Sequence, residues 1–378
     1  MNIIIPKKRF LKSLSYAEAI ASSKTTIPVL SNILIDVHNN QLSITSSNLE
    51  TGIKINDPVK PLEEGSLAVN CKKLLSIVRE LPDDDIRLAT DEHRRLTIRS
   101  MSDQINAQFT IAGVAKEDFP EVKTEPEGEY VSLNAEQFKH MIKKVVFAIS
   151  SDENKYALTG VFFEKVGDTI SMVATDGKRL ALISKSADEL EISNRNFSIP
   201  HDGVIIPKIA LNEILKYTFE KNELSIGFSR NQIFFLYDDI RLASNLIEGK
   251  YPEYRRIVPV DRERWFIAER TQLGNAIKRV SVLVDESYNQ IKLHIVRDSL
   301  ILSSQNPALG GAVEEIPIQY NGEEIDIALN YVYLLDCLRE IESDRIKIDF
   351  ENSEKVITVK GEEERDYINL IMPMKLNV

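Results

Sequence analysis

Stretches in which apolar and polar residues alternate occur along this chain in pairs. Each pair is set between stretches whose apolar residues return every three or four positions. Alternation predicts strands, and the longer period predicts amphipathic helices. The paired strands fall at 28–35 with 41–48, at 157–163 with 169–176, and at 288–295 with 300–306. The separation from Asn32 to Asn48, from Gly160 to Asp176 and from Gln290 to Asn306 is 16 residues each time, and the units recur at offsets of 128 and 130. A helix is predicted before each pair. Phe10, Leu11, Leu14 and Ala17 mark the first, and Phe138, Met141, Ile142, Val145, Val146 and Ile149 the second, with Asn134 and Gln137 spaced as a capping box. Leu273, Ala276, Ile277, Val280 and Leu283 mark the third. A second amphipathic stretch follows each pair, at 72–81, 208–219 and 331–341, and short strands close each unit, at 96–98 with 108–111, at 233–236 and at 355–359. The chain thus reads as three tandem copies of one α+β unit. Acidic, proline-bearing segments at 121–128 and 252–261 serve as linkers, giving domains 1–127, 128–260 and 261–378.

At 378 residues the chain is longer than one core usually supports, which agrees with several domains. Ile3, Ile4 and Ile5 are followed at once by Pro6, Lys7, Lys8 and Arg9, too short an apolar run for a secretory signal. No stretch approaches the length of a membrane span. Cys71 and Cys337 lie far apart without metal-ligand spacing, which is read as two reduced structural thiols in a cytoplasmic protein.

The net charge is −11 and the pI near 5.2, which on average disfavours nucleic acid. Charge placement alters that picture. Lys8 and Lys12, Lys139, Lys143 and Lys144, and Lys278 and Arg279 lie opposite the apolar stripes of the first helices. Lys72, Lys73 and Arg79, then Lys208, Lys216 and Lys221, then Arg339 accompany the second helices. Taken singly these are solvated helix faces. Their recurrence on equivalent helices of an acidic chain points to diffuse phosphate contact. Chemistry finds little footing. Five histidines lack ligand spacing, Gly310-Gly311 is no phosphate cradle, and Asp238-Asp239 and Glu314-Glu315 sit in charged stretches. Asp176-Gly177 reads first as a hairpin turn. An enzyme built on Asp176 and a peptide-binding adaptor that never surrounds DNA remain as alternatives.

Three motifs add a family. They are Ala174-Thr175-Asp176-Gly177-Lys178-Arg179-Leu180-Ala181, the segment from Leu246 to Pro259 (LIEGKYPEYRRIVP), and the segment from Tyr367 to Leu376 (YINLIMPMKL). With Leu81-Pro82 and Asp118-Phe119-Pro120, these make the chain resemble, over its whole length, the bacterial sliding clamps, the beta subunits of DNA polymerase III.

The resemblance implies a non-catalytic processivity factor without cofactor or metal. Such clamps are head-to-tail homodimers whose six domains form a ring, helices inside and sheets outside, around duplex DNA. It implies a docking groove for partner peptides at Leu158, Thr175, Gly177, Lys178, Arg179, Leu180, Pro252, Arg256, Ile257, Leu370, Ile371, Met372, Pro373, Met374 and Lys375. Arg179 and Arg256 would orient the peptide. DNA contacts map to Lys24, Lys73, Lys155, Tyr156 and Lys208, and the dimer seam to Ile77 and Phe109 against Val282 and Leu283. The implied partners are the replicative polymerase catalytic subunit, an ATP-driven clamp loader and other repair and replication proteins, with no membrane. Lys178 stands where the family often has His, Lys375 where it often has Arg, and Gln290 where it often has Gly. Lys24 replaces a frequent Arg and Ala157 a frequent aromatic, so the groove rim should favour somewhat different peptide ends.

Overall fold

The structure, a computed structural model, describes residues 1–21, 26–103, 105–219, 221–258 and 263–375. Lys24, Pro259, Leu376 and the 260/261 domain boundary lie outside the described residues. Among the described residues six α-helices run in chain order: α1 Lys7–Ile20, α2 Cys71–Glu80, α3 Ala135–Val146, α4 Lys208–Lys216, α5 Arg270–Val280 and α6 Tyr331–Glu340. Each third of the chain repeats the order strand, helix, four strands, helix, three strands.

The chain divides into two compact units. The first holds Met1–Ala135, Glu191–Pro200 and Ile209–Leu246, and the second holds Glu136–Leu190, His201–Lys208 and Ile247–Val378. In the first unit one antiparallel sheet of 12 strands takes its first eight from the first third: Asn2–Pro6, Asp85–Thr90, Arg95–Ser100, Gln108–Val114, Gly65–Asn70, Asn32–His38, Gln41–Ser47 and Thr51–Pro58. The sheet passes into the middle third where Thr51–Pro58 pairs with Ile240–Asn245, and continues through Gln232–Tyr237 and Glu223–Ser229 to Val131–Asn134. Phe10, Leu14, Ala17 and Ile20 of α1 and Leu74, Leu75 and Val78 of α2 are buried, as their spacing predicts.

The second unit has an eight-stranded sheet in the order Val204–Pro207, Gly160–Val166, Thr169–Thr175, Arg179–Ser186, Tyr367–Ile371, Ile357–Gly361, Arg345–Phe350 and Arg264–Glu269. Here the middle third meets the last through Arg179–Ser186 and Tyr367–Ile371, with Leu180 opposite Leu370. A separate four-stranded sheet runs Gly310–Pro317, Ser299–Asn306, Gln290–Val296 and Ile325–Asn330. Leu273, Ala276, Ile277 and Val280 of α5 and Leu334, Cys337 and Leu338 of α6 are buried.

Asn32, Gly160 and Gln290, the markers of the repeat, are the first residues of equivalent strands. The residues just before them depart from expectation. Pro28–Ser31 and Glu153–Leu158 form 3-10 turns rather than strand, because Pro28 cannot donate to a ladder and the Asp152 side chain accepts from the Asn154 N–H. Both cysteines are free and buried, and burial pushes the Cys71 thiol up to about 12, as suits unreactive structural thiols. Lys144 is a correction to the reading of solvated helix faces. Its side chain is buried and bridges Glu364 at 3.0 Å and Glu342 at 3.3 Å, because segments distant in sequence fold over that side of α3.

Candidate functional site

The strands Thr169–Thr175 and Arg179–Ser186 are joined by the turn at Asp176, Gly177 and Lys178. Gly177 has φ +89, a conformation that side chains with a Cβ resist. The Asp176 carboxylate shapes the turn from within: Oδ1 accepts the N–H of Lys178 at 2.8 Å and of Arg179 at 3.0 Å, and the Gly177 N–H donates to Thr175 Oγ1 at 3.0 Å. The turn reading of Asp176-Gly177 therefore holds. The same turn receives the carboxyl-terminal segment, since the Met372 N–H donates to the Lys178 carbonyl at 2.9 Å. Farther on, the Met374 N–H donates to the Ala328 carbonyl at 2.8 Å, and Gln290 Nε2 donates to the Lys375 carbonyl at 2.7 Å. These bonds lay Pro373, Met374 and Lys375 along the last third's four-stranded sheet.

Beneath this edge lies a cluster of Val173, Leu180, Ile205, Tyr251, Tyr254 and Leu370, with Leu158, Leu182, Ile247, Val258 and Ile368 packed against it. Leu180 and Leu370 form a floor by direct cross-strand pairing. The segment around residues 251–258 covers one side. Tyr251 stacks on Phe162, with centroids 4.9 Å apart and planes 9° from parallel, and its hydroxyl donates to the Val173 carbonyl at 3.3 Å. The Tyr254 hydroxyl donates to the buried Glu164 carboxylate, which Arg255 also holds. Burial, then the hydrogen bond to Glu164 and its charge, pushes the Tyr254 hydroxyl pKa far above its ordinary value, so it remains a donor. Open above the floor, Ile257 is 51% and Met372 49% exposed, and Pro252, Glu253, Arg256, Lys178 and Lys375 are exposed beside them. Thr175, Leu180, Leu370 and Ile371 are buried.

The site residues read from the sequence therefore separate into floor, wall and rim, with one exception. Arg179 was expected to orient a peptide, yet its side chain is only 11% exposed and its guanidinium is fully engaged. Nε meets Asp176 Oδ2 at 3.2 Å, one terminal nitrogen meets Asp336 Oδ2 at 2.6 Å, and the other donates to the Phe147 carbonyl at 2.7 Å. The rings of Phe147 and Tyr333 flank it at 5.3 and 4.5 Å. Arg256 is the freer arginine, exposed and paired with Glu253 at 2.6 Å. Tyr251, Tyr254 and Glu164 are supports that the sequence reading missed. The two tyrosines stand inside the KYPEY motif, which was the available signal.

The expected DNA contacts Lys73, Lys155, Tyr156 and Lys208 are all exposed. Lys155 reaches the groove turn, donating to the Asp176 carbonyl at 2.9 Å. Of the expected seam, Phe109 and Val282 are exposed and Ile77 and Leu283 half-buried. Among the described residues no helix is long and apolar enough to cross a membrane.

Comparison with known proteins identifies a family over the whole chain. Three profiles match in tandem: the DNA polymerase III beta subunit N-terminal domain at residues 1–123, its central domain at 132–253 and its C-terminal domain at 255–375. The beta sliding clamp of Treponema pallidum is 32% identical over 99% of this chain and 100% of its own length, and that of Pseudomonas aeruginosa 29% identical over 100% of both. Among solved structures, the DNA polymerase III subunit beta of Pseudomonas aeruginosa superposes with a TM-score of 0.90 at 29% identity. The sliding clamp of Bacillus subtilis gives 0.90 at 26%, covering 100% of this chain and 99% of that one. The chain belongs to the beta sliding clamps, the beta subunits of DNA polymerase III.

Proposed function

We propose that two copies of this chain join head to tail in a ring around duplex DNA, tether the polymerase there and confer processivity, with no catalytic step of their own. The clamp domains run 1–127, 128–260 and 261–378. The observation that carries the ring is the strand topology. At both internal joints the closing strand of one third pairs with the last strand of another third's first hairpin series: Ile240–Asn245 with Thr51–Pro58, and Tyr367–Ile371 with Arg179–Ser186. By the same repeat, Gln108–Val114 and Gly310–Pro317 are the strands left over. Gly310–Pro317 ends its sheet, and Gln108–Val114 is paired on its second side only at Gly113 and Val114. Val313 is 72% exposed on that edge, and the Ser281–Leu283 turn packs beside it. Joining the first strand of one copy to the second of the other uses one complementary interface twice and closes the assembly. Ile77 and Phe109 then meet Val282 and Leu283.

Lys24, Lys73, Lys155, Tyr156 and Lys208 contact the duplex without reading its sequence, and topology rather than affinity retains the ring. The groove of Leu158, Leu180, Pro252, Arg256, Ile257, Leu370 and the 371–375 segment takes an extended peptide from the polymerase catalytic subunit, and in turn from other repair and replication proteins. Methionine at its edge suits several occupants. An ATP-driven loader opens the ring, in the cytoplasm. Asp176 serves the turn rather than catalysis, since both its oxygens are committed to Lys178 and Arg179.

The test is retention on DNA. After loading, the protein should persist on closed circular DNA and run off once the circle is cut, and its solution mass should be near twice 42.9 kDa. Equal lifetimes on both DNAs, or a monomer at micromolar concentration, would overturn the reading.

A further inference from the structure

We propose that Asp336 is a positioning residue for the docking groove, acting through the buried Arg179 guanidinium on the Asp176–Lys178 turn and so on Met372. This rests on the docking role proposed for that groove. The connection is a continuous series of charge-assisted bonds ending in one backbone bond, all within one unit. Arg339, an exposed arginine on α6, meets Asp336 Oδ1 at 2.7 Å. Asp336 Oδ2 meets Arg179 at 2.6 Å, and Arg179 Nε meets Asp176 Oδ2 at 3.2 Å. Asp176 Oδ1 then fixes the N–H groups of Lys178 and Arg179, and the Lys178 carbonyl holds the Met372 N–H at 2.9 Å.

Two features make Asp336 the key member of this series. Arg179 is nearly enclosed, so a terminal nitrogen that loses its acceptor has little water to turn to. Its plane is also fixed between the rings of Phe147 and Tyr333, so one lost bond tilts the whole guanidinium instead of freeing one arm. The tilt strains the bond to Asp176, the same carboxylate that holds the turn in its Gly177 φ +89 conformation. The groove edge then loses its fixed Lys178 carbonyl, and Met372 loses its anchor. A partner peptide must order that edge on binding, which lowers affinity without removing any contact the peptide makes.

The experiment measures binding of the polymerase catalytic subunit to the full-length dimer by calorimetry at 10 °C, far below unfolding. Asp336→Asn should weaken binding about tenfold, Arg179→Gln about as much, and the double variant no further than either, because both break one series. Asp336→Glu, which keeps the carboxylate, should return binding to within about threefold of wild type, and Arg339→Ala should stay within that range because Arg339 touches only the outer oxygen. Retention on circular DNA should not change. Unchanged binding in Asp336→Asn, or strictly additive losses in the double variant, would overturn the proposal. Should Asp336→Asn fail to fold, Arg179→Lys carries the test: it keeps the charge but not the fork, and must also weaken binding. The docking role is checked separately with Met372→Asp on the exposed rim. If that variant binds the polymerase normally, the groove reading fails, and this proposal with it.

Discussion

At the joint of the first and middle thirds Gly52 faces Ala243 across the strand pair, whereas at the joint of the middle and last thirds Leu180 faces Leu370. Leu180 stands 128 residues after Gly52, the offset of the repeat, and the linkers correspond as well: Phe119-Pro120-Glu121-Val122 against Tyr251-Pro252-Glu253-Tyr254. The scaffold is shared, and side-chain volume decides what it does. At the first joint the linker settles onto bare backbone, so closely that a Cβ on Gly52 would come within 2.2 Å of Val122 Cγ1. At the second joint the leucines fill the floor, and the linker is held through Tyr251 on Phe162 and Tyr254 on Glu164. The strip between linker and carboxyl-terminal segment stays open, with Ile257 51% and Met372 49% exposed. One repeated scaffold thus forms a closed joint in one place and an open one in the other.

Exchanging the floors tests this comparison, and emptying the second should have the largest effect. Leu180→Ala removes a fully packed side chain, at a cost of about 2–5 kcal/mol in chemical denaturation, and it should also weaken polymerase binding. Normal binding in that variant would mean that the floor does not define the groove. Gly52→Leu overfills the first joint and should cost about 1–3 kcal/mol while polymerase binding stays as in wild type. Next in size, Tyr254→Phe takes one donor from the buried Glu164. Because Arg255 remains, denaturation should show the low end of the usual range, about 1 kcal/mol.

The acid at the first joint adds a pH dependence. Asp36, at the place equivalent to Glu164, is held by Lys116 and Ser66, each at 2.7 Å. Burial raises its pKa, but these hydrogen bonds outweigh it and leave the carboxyl below its ordinary value. A depressed carboxyl stabilises the fold above its unfolded pKa and loses that contribution as pH falls through the folded one. The thermal midpoints of wild type and Asp36→Asn should therefore differ near neutral pH and converge below about pH 4. A gap that persists in acid would assign Asp36 a role other than charge pairing.

How far such features can be read from sequence follows from their range. The repeat, the helix stripes and the Asp176-Gly177 turn are patterns of period or composition, and each appears where expected except that α3 and α5 stop short of Ile149 and Leu283. Arg179 could not be read that way, because its acceptors Asp336 and Phe147 lie 157 and 32 residues away and only the folded sheet brings them together. Lys144 looks like any lysine on a polar face until Glu342 and Glu364 close over it. The groove was legible only through family motifs. No period in the chain distinguishes a leucine that floors a groove from one that fills a core, and the plug at Val122 is visible only as its closeness to Gly52.

The turns of the two joints carry the smallest expected difference. Leu49 occupies the place of Gly177 and has φ +75, the only aliphatic side chain in that region among the described residues. The left-handed conformation costs a side chain with a Cβ about 1 kcal/mol or slightly more, and glycine gives back somewhat less through its freer unfolded state. Leu49 is 55% exposed, so little apolar burial is lost on removing it. Leu49→Gly should therefore be neutral to stabilising by a few tenths of a kcal/mol, while Gly177→Ala should cost about 1 kcal/mol. Were Leu49→Gly instead to destabilise by more than about 1 kcal/mol, the leucine would be packing against the first joint, and strain tolerated there would be part of what keeps it closed.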